Sequence, residues 1–153
     1  MSSWATMVTQ ASATANLRQL TTNQIHAVVD MLCLVIYADN RMSALEQIEF
    51  EETLLELDWT ESKEQIVRAR INTSASPARY ANSPEARIEL VAKAVNLLGH
   101  TVDDQNEGIY GLIASMAYSD LVLHRKEKEL LNYIATALNI KSERAVAIQS
   151  QFE

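Results

Sequence analysis

The segment NQIHAVVDMLCLVIYA, residues 23–38, is the clearest helical signal in this chain. Its apolar side chains recur at the i, i+3, i+4 and i+7 spacing that places them on one face of an α-helix. Thr22 or Asn23 can cap the start, because each side chain accepts a hydrogen bond from a free backbone N–H. The segment therefore predicts a buried helix. The members of its apolar face are Ile25, Val28, Val29, Leu32, Val35 and Ile36.

Helical spacing alternates with short breaks along the rest of the chain. Ser43 and Glu46 form a capping box, which predicts a helix start at that point. Ser83 followed by Pro84 predicts another start, and Gly99 the end of that helix. We expect further helices over residues 43–57, 62–71, 84–98, from 103 or 104 to 119, around 130–138 and over 142–152. Residues 72–83, rich in Ser, Ala, Asn and Pro, are predicted to form a loop.

The composition of the 153-residue chain favours a single all-α domain. Sheet-rich folds use Gly and Pro in their tight turns, and this chain has only 3 glycines and 2 prolines. Hydrophobic residues make up 48%, which is enough for a core of ordinary size. We expect a Ser-, Thr- and Ala-rich N-terminal tail over residues 1–20 and an all-α domain over residues 21–153.

Charge and cysteine content restrict the partners and the compartment. The formal net charge is -7 and the pI about 5.0, so we expect no binding to nucleic acid, whose phosphates carry the same sign. The longest apolar run, residues 31–38, is too short to span a membrane. The single cysteine, Cys33, excludes an internal disulfide and favours a reducing cytoplasm. A monomer and a homodimer both remain open, as does any protein partner. The only clustered arginines are Arg68, Arg70, Arg79 and Arg87.

Two regions of the chain match each other without gaps when Asp39 is placed on Asp120, a shift that we call the repeat offset. Tyr37 then aligns with Tyr118 and the apolar stripes of both regions coincide. The acidic and apolar residues in the connections that follow these two helices also align. Helical periodicity alone does not produce that agreement. The pattern predicts an internally duplicated helix–loop–helix unit. The aligned connection residues are Asp39 with Asp120, Met42 with Leu123 and Glu46 with Glu127.

The two connections carry a recognisable short motif. The first contains the residues ADNRM at 38–42 with Glu46, and the second SDLVL at 119–123 with Glu127. This spacing resembles that of the TerB-like tellurite-resistance proteins and of the N-terminal domain of DjlA-type co-chaperones. The glycine of that motif is replaced by Asn40 in the first unit and by Leu121 in the second. The resemblance covers residues 23–152 and implies an all-α bundle of about seven helices. It also implies a role in tellurite or chemical-stress responses, without a catalytic reaction.

Four acidic residues of these units are the candidate metal ligands: Asp39, Glu46, Asp120 and Glu127. Hard cations such as Ca²⁺ or Mg²⁺ prefer several oxygen ligands, and Asn40 could add another. A purely structural role competes with this interpretation. An acidic residue in the first turn of a helix stabilises it through the macrodipole without any ligand, and an aspartate can bond the backbone of a turn.

Two functions therefore remain open from the sequence. The first is a TerB-like stress-response protein that binds a divalent cation through paired acidic residues. The alternative is a metal-free protein–protein interaction module that uses a groove between helices or the acidic helix face within residues 46–64. No nucleophile–base arrangement, paired cysteines or Gly-rich phosphate loop occurs, so we expect the protein not to be an enzyme.

Overall fold

The computed structural model describes residues 15–37, 43–79, 81, 83–99, 103–118 and 125–152. Within these ranges the chain is all-α and contains no strand, which confirms the predicted fold class. In this described part of the chain, a short 3-10 turn over Leu17–Gln19 precedes seven helices. These are α1 (Thr22–Tyr37), α2 (Ala44–Leu55), α3 (Glu61–Arg79), α4 (Pro84–Leu98), α5 (Asp103–Tyr118), α6 (Arg125–Ala137) and α7 (Ser142–Ser150).

Helix α1 is the centre of the bundle. It packs most extensively against α3 and α4, and it also touches α5 and α6. Its apolar side chains are buried on more than one face, as expected of a helix that is surrounded by others. At its C-terminal end the rings of Tyr37 and Phe50 meet edge to face, with centroids 5.6 Å apart. Helix α7 packs against α5 and α6.

Both ends of α4 are fixed by the residues that the sequence suggested. The Ser83 side chain accepts a hydrogen bond from the Ala86 N–H at 3.1 Å, and Pro84 occupies the first helical position. Gly99 ends α4 with a positive φ of 71°, a conformation that favours glycine. After α2, the Trp59 indole N–H donates to the Leu54 carbonyl at 2.8 Å, so this buried ring closes the helix end.

The prediction of a loop over residues 72–83 is wrong for most of its length. Helix α3 continues through Pro77 to Arg79. A proline inside a helix removes one backbone donor, here the N–H that would reach the Thr73 carbonyl, and usually disfavours the helix. In this chain tertiary packing outweighs that cost, because Ser74 and Ala78 on the same stretch are buried.

The repeat offset also relates the helix boundaries. Helices α1 and α5 begin at 22 and 103, α2 and α6 at 44 and 125, and α3 and α7 at 61 and 142. Each pair of starts is therefore separated by the interval that the sequence alignment predicted. The duplication itself stays a prediction, since equal helix starts do not establish equal packing.

The end of the predicted tail contacts the helical domain. Ala15, Leu17 and Leu20 are buried. The Arg18 side chain donates to Asp58 at 3.0 Å, and Lys63 donates to the Arg18 carbonyl. The boundary proposed at residue 20 stays a prediction.

Among the described residues, no helix is both long enough and apolar enough to cross a membrane.

Candidate functional site

The predicted metal ligands fall largely outside the part of the chain that the structure describes. Asp39, Asn40 and Asp120 lie in undescribed connections. Glu46 and Glu127 are each the third residue of their helices, α2 and α6, and their side chains are not described. The predicted cation site therefore stays a prediction. Among the residues described, no group of three or more His, Cys, Asp or Glu side chains is placed to hold a metal.

A polar cluster that the sequence did not suggest lies between α1 and α3. Asp30, in the middle of α1, accepts two hydrogen bonds from Arg70, one from Nε at 2.8 Å and one from Nη2 at 2.7 Å. The Ser74 hydroxyl, one turn further along α3, donates to the same carboxylate. The Asp30 and Arg70 side chains are only 22% and 26% exposed. We call Asp30, Arg70 and Ser74 the Asp30 cluster.

The surroundings of the Asp30 cluster shift the pKa values of nearby groups. The hydrogen bonding that Arg70 donates to Asp30 raises the pKa of Arg70, against the opposing effect of burial. Burial, and then the positive charge of Arg70, lower the pKa of His26, although Asp30 opposes them. Burial is also the main reason that the pKa of the Cys33 thiol lies far above its usual range. These shifts keep Arg70 charged and favour a neutral His26 and a protonated Cys33.

The Asp30 cluster forms one wall of a cleft of about 440 Å³ between α1, α3 and α4. Helix α3 contributes Arg70, Thr73, Ser74 and Pro77, whose i, i+3, i+4 and i+7 spacing places them on one face. The extension of α3 beyond the predicted helix end therefore builds this wall. From α4, the lining residues are Leu90, Lys93, Asn96 and Leu97, and from α1 they are Asn23 and Asp30.

Comparison with protein families identifies the family of this chain. The family profile "Tellurite resistance protein TerB" matches residues 24–150, which is most of the chain and covers the helices that build the cleft except for the first two residues of α1. The chain belongs to the TerB family. Comparison with curated proteins and with solved structures gave no significant match.

This TerB-family chain contains a second, partly buried polar network between α5, α6 and α7. Gln149 is at its centre: its amide donates to the Tyr110 hydroxyl at 2.6 Å and to Asn132 at 3.3 Å. The Tyr118 hydroxyl donates to the Gln149 side-chain oxygen at 2.9 Å. Burial raises the pKa of Tyr110 to about 12, although the bond from Gln149 opposes this. The network satisfies buried polar atoms, which is the usual requirement inside a protein.

The clustered arginines of this TerB-family chain do not form one basic patch among the described side chains. Arg70 bonds Asp30, and Arg87 is buried and donates to the Ala81 carbonyl at 3.0 Å. Arg68 lies 3.6 Å from Glu64. The side chain of Arg79 is not described. The expectation of no nucleic-acid binding stays a prediction.

Proposed function

We propose that this TerB-family chain is a non-enzymatic chemical-stress protein that binds a divalent cation, Ca²⁺ or Mg²⁺. The proposed ligands are Asp39, Glu46, Asp120 and Glu127, with Asn40 as an additional oxygen donor. One observation carries the proposal: the helices after both acidic connections start at positions related by the repeat offset. Each acidic pair therefore has the same position in the sequence relative to the helix that follows it. A cytoplasmic location accords with the single buried cysteine.

The chemistry of the four carboxylates supports a cation rather than another ligand. An aspartate in a connection and a glutamate in the first turn of the helix that follows can approach each other. Two such pairs concentrate negative charge, which is unfavourable unless a cation, a proton or donor groups compensate. Carboxylate oxygens are the ligands that Ca²⁺ and Mg²⁺ prefer.

The test is thermal unfolding with Ca²⁺, Mg²⁺, Mn²⁺ or Zn²⁺. A cation at about 100 times its Kd should stabilise the fold by about 2.7 kcal/mol, because it binds only the folded state. For a chain of this size that corresponds to a rise in Tm of about 5–10 °C. Asp39→Asn combined with Asp120→Asn should abolish the rise, since asparagine keeps the turn but not the charge.

The control changes net charge equally at exposed positions elsewhere. Glu52→Gln combined with Glu143→Gln should retain the full rise in Tm, because both side chains are exposed and neither belongs to a connection. If no cation raises the Tm of the unmodified protein, the cation proposal is wrong. A rise that survives Asp39→Asn with Asp120→Asn would place the cation elsewhere.

A second candidate function is protein–protein interaction through the outer face of α2. Leu45 and Ile48, one turn apart, are 72% and 51% exposed, beside the exposed acidic residues Glu49 and Glu52. Contiguous exposed apolar side chains that are rimmed by polar residues can mark a docking surface. A basic amphipathic helix complements this face, since its apolar residues can cover Leu45 and Ile48 while its lysines meet the carboxylates.

Fluorescence anisotropy with a labelled basic amphipathic peptide tests this second candidate. Leu45→Ser combined with Ile48→Ser should weaken binding by about tenfold or more, given about 25 cal/mol per Å² of apolar surface lost. Val146→Ser is the matched control, because Val146 is 63% exposed on a different helix. Equal weakening by both variants, or equal binding of an acidic peptide, would contradict docking at α2.

A further inference from the structure

We propose that the cleft between α1, α3 and α4 binds a small organic anion, a carboxylate that carries a short aliphatic chain. The anionic group would bind Lys93 and Arg70, and the chain would pack on Leu90 and Leu97. None of the described lining residues belongs to the two acidic connections or to the outer face of α2. The proposal therefore goes beyond the proposed function and does not depend on it.

The size and lining of the cleft suit a small ligand. Its volume of about 440 Å³ is within the range of roughly 300–1,000 Å³ that is usual for such sites. Ligand sites combine mostly apolar walls with a few fixed polar groups. Here Pro77, Leu90 and Leu97 supply apolar surface, while Asn23 and Asn96 are polar groups of the lining.

The charges of the lining residues predict that the ligand is an anion. Among the described lining residues the charged groups are Asp30, Arg70 and Lys93, which leaves one positive charge in excess. The Asp30 carboxylate is already occupied by Arg70 and Ser74. It is therefore poorly placed to attract a cation from solvent, whereas an anion would meet two cationic side chains.

Lys93 can exchange its present acceptor for a ligand. It lies 3.5 Å from Glu89 on the same helix, and the two side chains are 71% and 69% exposed. Such exposed pairs contribute little to stability, because solvent screens them and both side chains lose freedom. A carboxylate in the cleft could replace Glu89 as the acceptor of Lys93 without the loss of a strong interaction.

Arg70 is held in a fixed orientation by Asp30 and still has donors to offer. A guanidinium carries five N–H groups, and the bonds to Asp30 use Nε and one hydrogen of Nη2. One hydrogen of Nη1 and the second hydrogen of Nη2 lie together on a different edge of the plane, and the bonds to Asp30 do not use them. A prearranged donor of this kind lowers the entropic cost of binding an anion.

Sodium hexanoate is the probe for this site, followed by amide chemical shifts in a nuclear magnetic resonance titration of the full chain. We expect saturable shifts confined to the facing surfaces of α1, α3 and α4. Sodium phosphate, which has charge without a chain, and 1-hexanol, which has a chain without charge, should each bind at least about tenfold more weakly, equivalent to about 1.4 kcal/mol. Equal binding of either compound would overturn the proposal.

Variants of Lys93 separate recognition from folding. Lys93→Met should weaken hexanoate binding by about tenfold or more, whereas Lys93→Arg, which retains the charge, should largely preserve it. Lys128→Met is the control, since Lys128 is exposed on α6 and does not line the cleft. Unchanged binding in Lys93→Met, equal weakening in Lys128→Met, or shifts outside the cleft would overturn the assignment.

Discussion

The Asp30–Arg70 pair should couple energetically more strongly than any exposed ion pair on the surface. Two hydrogen bonds of 2.7 and 2.8 Å join the side chains, and only about a quarter of each remains exposed. Fully exposed pairs contribute about 0.2–1 kcal/mol, and breaking a buried pair costs about 3–5 kcal/mol. The intermediate exposure of Asp30 and Arg70 therefore predicts a coupling energy of about 2 kcal/mol.

A double-mutant cycle measures that coupling. The free energies of urea unfolding are compared for the unmodified protein, Asp30→Ala, Arg70→Ala and the double variant. Arg18 and Asp58 provide an internal control, because their single bond of 3.0 Å joins side chains that are 62% and 52% exposed. That pair should couple by less than about 1 kcal/mol. A coupling for Asp30–Arg70 no larger than that of Arg18–Asp58 would refute the reasoning.

Three further predictions concern single residues of the core and of α1. Because burial raises its pKa, Cys33 should react with a thiol reagent only after unfolding, and rapid labelling of the native protein would contradict this. Burial and Arg70 lower the pKa of His26, so the unfolded state binds its proton more readily. The free energy of unfolding should therefore fall as the pH drops through about 6.5. His26→Gln should make urea unfolding less sensitive to pH in that range. An unchanged pH dependence in this variant would exclude His26 as a contributor. A Cβ at Gly111 would lie 3.7 Å from Ile148, an ordinary contact, so Gly111→Ala within α5 should raise the free energy of unfolding by about 0.5–1 kcal/mol, and a lower value would indicate a steric clash.

The helices could be predicted from sequence where local signals and packing agree. The apolar spacing of residues 23–38 placed α1, and the Ser83–Pro84 start of α4 was also predicted correctly. The end of α3 was not, because Pro77 and its polar neighbours favour a loop when they are considered locally. Burial of Ser74 and Ala78 against other helices supplies the free energy that local preference lacks.

The Asp30 cluster could not be predicted, because its members are far apart in the chain. Arg70 and Ser74 lie 40 and 44 residues after Asp30, and no motif links them. The one available signal was an acidic residue inside an otherwise apolar helix, which needs a partner when it is withdrawn from water. Finding that partner requires the packing of α1 against α3, which the spacing of residues within each helix does not reveal.

The cleft distinguishes the first half of the chain from the second. At the repeat offset, Asp30 corresponds to Gly111 and Arg70 to Gln151, so the second half has no equivalent ion pair. In the first half, α1 and α3 enclose the Asp30 cluster. At the corresponding place in the second half, α5 and α7 pack closely, because a Cβ added at Gly111 would contact Ile148. The acidic connections, in contrast, occur in both halves. The proposed cation site uses residues that both halves of the repeat share. The proposed ligand site uses Asp30 and Arg70, which occur in the first half alone. Because the two sites use different residues, substitutions at either site should leave binding at the other unchanged.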